Sequence, residues 1–146
     1  MKKLYEDLIN GIETKSENET IHIGELLAKE FKENQILALY GDLGVGKTTF
    51  VKGIAKGLGI KDNITSPTYN IYNIYQGIMQ LIHLDAYRLN LENSQRNLML
   101  EDVLIEPYCL AIEWPINIPE YISQNTIKIE LSLNIESSTH NIRLIS

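Results

Sequence analysis

Apolar positions recur along this chain with two different periods, and where the period changes, the elements change. Ile36-Leu37-Ala38-Leu39-Tyr40 is an unbroken apolar run of strand length. Such a run fits a strand covered on both faces, as in a parallel sheet. Beyond a glycine-rich turn, Phe50, Val51, Ile54, Ala55 and Leu58 recur at helical spacing, with Gly59 as a stop signal. The unit reads strand, glycine loop, helix. Upstream, Ser16 and Glu19 have the spacing of a capping box, and Ile23, Leu26, Leu27 and Phe31 fall on one helical face. This predicts a helix over about 18–33, preceded by a short strand at Ile12-Glu13-Thr14 and a helical extension from Leu4 to Ile9.

Downstream the period shortens to two. Tyr69 to Tyr75 and Ile78 to Leu84 flank Gln76-Gly77 and read as a β-hairpin. Leu91 to Leu104 is helix-like, and Tyr108 to Ile112 is a second buried strand. Ile127, Ile129, Leu131 and Leu133 alternate with polar residues and face one way, and Ile142 to Ile145 are expected to pair with them antiparallel at the sheet edge. The fold class expected is α/β: a P-loop-type, mixed and mostly parallel sheet flanked by helices, with antiparallel edge strands. No linker or repeat divides the chain, so one domain is expected over 1–146, with residues 1–10 as an N-terminal extension.

Composition narrows the function. A chain of 146 residues, 44% hydrophobic and 22% charged, can bury a core and is not a disordered tail. Lys and Arg number 13 against 19 Asp and Glu, a net charge of −6, which disfavours direct nucleic-acid binding. The single cysteine, Cys109, can form neither an intramolecular disulfide nor a Cys-rich zinc site. No run approaches the ~18 apolar residues of a membrane span, and the N-terminus lacks the apolar stretch of a signal peptide. A soluble, cytoplasmic protein is expected.

The glycine loop carries the chemistry. Gly41-Asp42-Leu43-Gly44-Val45-Gly46-Lys47-Thr48 matches G-x-x-x-x-G-K-[ST] in full. Glycines allow successive backbone N–H groups to point inward around phosphate oxygens, and the following helix adds its positive N-terminus. Lys47 supplies a point charge for the β- and γ-phosphates, the Thr48 hydroxyl suits Mg²⁺, and Thr49 is placed for the α-phosphate. Lys47, at a helix start, is expected to face solvent before nucleotide binds. The plain alternative is a connecting turn, but the loop follows a buried strand and opens an amphipathic helix, the setting that phosphate binding requires.

A carboxylate at the end of a neighbouring strand is needed to hold Mg²⁺, directly or through water. Asp85 ends Leu81-Ile82-His83-Leu84 and Glu113 ends Cys109-Leu110-Ala111-Ile112. Both sit where ligands bind in open α/β sheets. Thr65-Ser66-Pro67-Thr68-Tyr69 is either an ordinary turn or a switch segment whose hydroxyls meet the γ-phosphate or Mg²⁺. Taken singly, His83 reads as a satisfied structural residue, Arg88 as a surface ion-pair partner, Trp114 as core, and Tyr69, Tyr72 and Tyr75 as hairpin packing.

Four motifs occur in one order: Gly-Asp-Leu-Gly-Val-Gly-Lys-Thr-Thr-Phe (41–50), Ser-Pro-Thr-Tyr (66–69), His-Leu-Asp-Ala-Tyr-Arg-Leu (83–89) and Ile-Glu-Trp-Pro (112–115). Together they closely resemble the bacterial TsaE (YjeE) family, from about Thr14 to the C-terminus. The resemblance implies a Mg²⁺-dependent ATPase that supports formation of N6-threonylcarbamoyladenosine at adenosine 37 of tRNAs reading codons that begin with A. It implies action with the TsaD and TsaB proteins, tRNA being met only indirectly. It implies ATP at Gly41 and at Leu43 to Thr49, with Glu17 near the base, Mg²⁺ on Thr48 and Glu113, and Asp85 supporting the metal or hydrolysis. Ser66, Thr68, Tyr87, Arg88 and Trp114 are carried over as the switch and partner-coupling set. The chain departs from the family pattern at Leu98-Met99-Leu100, at Ile116 and at Thr139-His140, where the family often has Gly-Arg.

Three rival functions fit the sequence less well. A small P-loop kinase normally needs an arginine-bearing lid, and of the arginines Arg88, Arg96 and Arg143 only Arg96 lies in a segment suited to one. A GTP switch lacks its Asn-Lys-x-Asp signature. A vestigial loop is at odds with intact Lys47 and Thr48.

Overall fold

The computed structural model describes residues 2–67, 71–89 and 100–146. Helix α1 (Lys2–Asn10) leads into strand β1 (Ile12–Thr14), helix α2 (Glu17–Ala28), strand β2 (Gln35–Tyr40) and helix α3 (Lys47–Gly57). Strands β3 (Tyr72–Tyr75), β4 (Gln80–Asp85), β5 (Tyr108–Glu113), β6 (Ile127–Asn134) and β7 (Thr139–Ile145) follow. One seven-stranded sheet has the order β1-β7-β6-β2-β5-β4-β3. Its centre, β6-β2-β5-β4, is parallel, and both flanks are antiparallel.

Strand parity divides the core in two. Leu37, Leu39, Leu81, Cys109, Ala111, Ile129 and Leu131 pack on one face with Phe50, Val51, Ile54 and Leu27 of the helices. Ile82, Leu84, Leu110 and Ile112 point to the other face, where Leu100 and Ile118 cover them. The unbroken apolar runs therefore are strands buried on both sides.

Helices α2 and α3 meet backbone to backbone. A Cβ on Gly53 would stand 2.2 Å from the Ile21 carbonyl oxygen, and one on Gly24 would stand 2.6 Å from that of Phe50. Only glycine permits this approach. Ser16 caps α2 as expected, the Glu19 N–H donating to Ser16 Oγ at 3.1 Å, but the reciprocal bond shifts by one residue: the Lys15 N–H, not that of Ser16, donates to Glu19 Oε2 at 3.2 Å.

Several boundaries differ from the sequence reading. Helix α2 stops at Ala28 instead of 33, because Glu30 and Phe31 bond to Leu27 and Ala28 in a tightened turn. The hairpin strand β4 starts at Gln80 and not Ile78, because the Ile78 N–H donates to the Leu58 carbonyl at 2.7 Å and leaves the ladder. Strand β7 does pair antiparallel with β6, but β1 covers its other side and takes the sheet edge. Leu133 is 47% exposed, since the β6–β7 hairpin runs past the core. Of the helix read over 91–104, residues 91–99 lie outside the described residues, and Leu100–Asp102 form one 3₁₀ turn. The extension α1 is helical and lays its buried Leu8 into the core that also takes in Ile142 of β7.

Candidate functional site

The glycine loop joins β2 to α3, and its conformation explains its glycines. Gly41, Gly44 and Gly46 have φ values of 146°, 79° and 102°, in the region that L side chains rarely adopt. Gly41 also passes so near β6 that a Cβ would lie 2.4 Å from the Leu131 carbonyl oxygen. Val45 anchors the loop: its side chain is buried, and its carbonyl accepts a hydrogen bond from His140 Nδ1 at 2.9 Å. Helix α3 begins on Gly46, which has no side chain to cap the first turn. The N–H groups there are left for a ligand.

Lys47 does not face solvent. It is 4% exposed, because the loop and Trp114 enclose it. Its Nζ donates to the carbonyls of Gly41 and Asp42, the latter at 3.2 Å, and lies 4.0 Å from the centre of the Trp114 ring. This is hydrogen-bond and cation–π compensation for a buried charge. Burial pushes the Lys47 pKa below its ordinary value, against the opposing pull of Glu113, Asp85 and Asp42.

Parallel pairing sets the acids side by side. In the β4–β5 register Asp85 is the partner of Glu113. Glu113 is 4% exposed, and its Oε2 accepts from Thr48 Oγ1 at 3.0 Å and from His83 Nε2 at 2.6 Å. Burial alone would raise its pKa, but the hydrogen bond and charge of His83, the Thr48 hydroxyl and the Lys47 charge outweigh it, and the carboxyl lies below its usual range. Asp85 accepts from Ser66 Oγ at 3.3 Å and from the Tyr87 N–H at 2.9 Å. It thus ties the 61–67 loop to the turn after β4.

Trp114 leaves β5 in a left-handed conformation (φ 60°, ψ 52°), which swings its ring over Lys47. Tyr87 packs on that ring with centroids 4.9 Å apart. The reading of Trp114 as ordinary core is therefore corrected: it is half-buried and lines the site.

Leu43, Gly44, Gly46, Lys47, Thr48, Thr49, Ser66, Asp85, Tyr87, Glu113 and Trp114 line one cavity of about 310 Å³. The structure thus brings most of the sequence-derived site together. Gly41 and Val45 shape the loop instead of lining this cavity. Glu17 lines a neighbouring cavity of about 140 Å³ with Thr20, Thr49, His140 and the Gly44 and Gly46 backbone. Arg88 is exposed and does not line the main cavity, and Thr68 lies outside the described residues. Sequence reasoning missed two residues. His140 carried only its departure from a family pattern. His83 was read as satisfied, yet its buried Nδ1 has no hydrogen-bond partner among the described residues.

These features define an α/β protein whose central parallel strand runs through a G-x-x-x-x-G-K-T loop into a helix, with one carboxylate at the end of the strand beside it, β5, and another at the end of the next, β4. The family model "Threonylcarbamoyl adenosine biosynthesis protein TsaE" matches residues 14–142, and the chain belongs to the TsaE family. It is 38% identical over 130 residues to the tRNA threonylcarbamoyladenosine biosynthesis protein TsaE of Bacillus subtilis, covering 88% of this chain and 77% of the relative. It is 41% identical over 117 residues to the TsaE protein of Synechocystis, covering 73% and 71%. The crystal structure of Bacillus subtilis YdiB superposes with a TM-score of 0.71 at 33% identity, covering 92% of this chain and 82% of that one. Among the described residues no helix is long and apolar enough to cross a membrane.

Proposed function

We propose that this protein is a Mg²⁺-dependent ATPase that works in the cytoplasm with the TsaD and TsaB proteins in forming N6-threonylcarbamoyladenosine in tRNA. The observation that carries the ATPase reading is the convergence of Lys47, Thr48, Asp85 and Glu113 on one cavity at the start of α3. The tRNA pathway comes from the family. A net charge of −6 gives the chain no electrostatic footprint for tRNA, so any tRNA contact runs through a partner.

The roles follow from the contacts. The loop N–H groups and the α3 N-terminus receive the phosphates. Lys47 exchanges its carbonyl partners for phosphate oxygens, its charge being already inside the site. A hydroxyl has one proton and two lone pairs, so Thr48 can keep donating to Glu113 while its oxygen faces a cation. One hydroxyl and one carboxylate fit Mg²⁺, which keeps waters and takes few protein ligands beside the phosphates. When bound, Mg²⁺ neutralises charge on the β- and γ-oxygens. Asp85, one strand over and bonded to Ser66, would orient water and relay the state of that residue.

The test is calorimetric titration of the chain with ATP, with and without Mg²⁺, followed by phosphate release with and without TsaD and TsaB. Binding that needs Lys47 and turnover that the partners raise are expected. Absence of ATP binding would overturn the reading.

A further inference from the structure

We propose that His83 is a positioning residue for Glu113: it holds the carboxylate through Nε2 so that Glu113 and Thr48 can act together on a cation. The inference rests on the ATP–Mg²⁺ reading of the site above.

His83 belongs to a strand of otherwise apolar interior residues. Leu81, Ile82 and Leu84 beside it are all 0% exposed, and so is His83. Packing alone would be served better by another aliphatic side chain. The register places His83 opposite Ala111, two residues before Glu113 on the same face of β5. Alanine is small there, and the imidazole spans the space to reach Glu113 Oε2 at 2.6 Å.

The two ring nitrogens are treated differently. Nε2 meets the carboxylate, and a carboxylate only accepts, so Nε2 carries the proton. Nδ1 is buried and has no partner among the described residues. A histidine kept purely for structure would be expected to satisfy both nitrogens. Here one hydrogen bond to one oxygen is all that the polar ring obtains, and that oxygen belongs to the residue facing the phosphate loop.

Both donors converge on the same atom, Oε2, and among the described residues Oε1 has no hydrogen-bond partner. His83 approaches from the interior of the sheet and Thr48 from the start of α3. Oε2 is held from two sides while the other oxygen stays available to a metal-bound water or a cation. Outer donors that fix a ligating carboxylate typically change metal affinity by about 10–100-fold when removed.

The experiment compares His83→Leu, which removes the donor, with His83→Gln, whose amide N–H can reach in place of Nε2. Thermal denaturation establishes folding, and ADP affinity is measured by calorimetry in EDTA and across a Mg²⁺ titration. For His83→Leu we expect ADP binding in EDTA as in the wild type and a fall in apparent Mg²⁺ affinity of about tenfold, with most of it restored in His83→Gln. Nitrogen-15 NMR of the wild-type imidazole should show Nε2 protonated and its signal shifting when Mg²⁺ joins bound ADP. Wild-type Mg²⁺ dependence in His83→Leu overturns the proposal, as does a folded His83→Gln no better than His83→Leu. Should neither variant fold, the NMR experiment decides alone: an Nε2 without a proton, or an Nε2 signal indifferent to Mg²⁺, overturns it. If the wild type itself binds no ADP, the fault lies with the nucleotide reading and not with His83.

Discussion

On the β2–α3 side of the cavity the backbone of the glycine loop works beside the side chains of Lys47 and Thr48; on the β4–β5 side the chemistry is in side chains alone. The glycine loop offers N–H groups, and it needs residues without a Cβ to turn them inward. The acid side offers Asp85 and Glu113, which need fixed neighbours: Ser66, Tyr87, His83 and Thr48 supply them. A loop made of backbone tolerates change where its side chains are exposed and little at a glycine, such as Gly41, that passes close to another backbone. A pair of carboxylates tolerates change around it only where no donor is lost. The contrast separates two kinds of damage: loss of shape on one side, loss of charge placement on the other.

Gly41→Ala should have the largest effect. The new Cβ would meet the Leu131 carbonyl oxygen at 2.4 Å with φ at 146°, so overpacking and backbone strain add. We expect a loss of stability of about 3 kcal/mol in urea denaturation. Near-wild-type stability would show that the loop holds its shape by other means.

Lys47→Ala comes next and should leave the fold intact. Removing its charge-assisted contacts should weaken ATP binding by about 1.5–3 kcal/mol in a calorimetric titration. Unchanged affinity would place the anion site elsewhere.

Glu113→Gln probes the other side. Apparent Mg²⁺ affinity at the nucleotide site should fall about tenfold, with ATP binding in EDTA as before. The pH dependence has a definite sign. The Glu113 pKa is lowered on folding, so its stabilising contribution is complete above its ordinary value of 4.5 and is lost as pH falls through the lower folded value. Melting temperatures followed from about pH 6 to about pH 3 should show less of this acid loss in the Gln variant. An identical acid limb would mean that the ionised carboxylate is not held as the contacts indicate.

Gly44→Ala should do least. Its φ is 79°, but no atom lies within 4 Å of the added Cβ, so backbone strain of about 1 kcal/mol is the whole cost. A loss as large as that of Gly41→Ala would erase the distinction between close approach and conformation alone.

The same division explains what could be read from the chain. The loop's chemistry is a property of eight consecutive residues, so the motif exposes it without a fold. Asp85 and Glu113 were found because each ends an apolar run, and a strand end is a local feature. Their neighbours were not legible. His83 meets Glu113 across a register that no local pattern reveals, and a buried histidine looks the same in sequence whether both nitrogens are paired or one. The burial of Lys47 escaped for a similar reason: the ring above it comes from a residue after β5, turned by a left-handed step that Trp rarely takes. The outermost place in the sheet was misassigned because β1 has only three residues, too few to announce its partner. Strands β2, β4 and β5 were legible because burial on both faces leaves them apolar between their ends, His83 apart.

The contact between α2 and α3 has a mechanical consequence. With Gly24 against Phe50 and Gly53 against Ile21, no side chain separates the two helices at these crossings. Close-packed backbones resist sliding, so the two helices are expected to move as one unit. One end of α3 carries Thr48 and the glycine loop, and α2 brings Glu17 to the cavity beside it. A partner pressing on the outward face of α2 would, on the proposed reading, act on the phosphate site without touching the nucleotide.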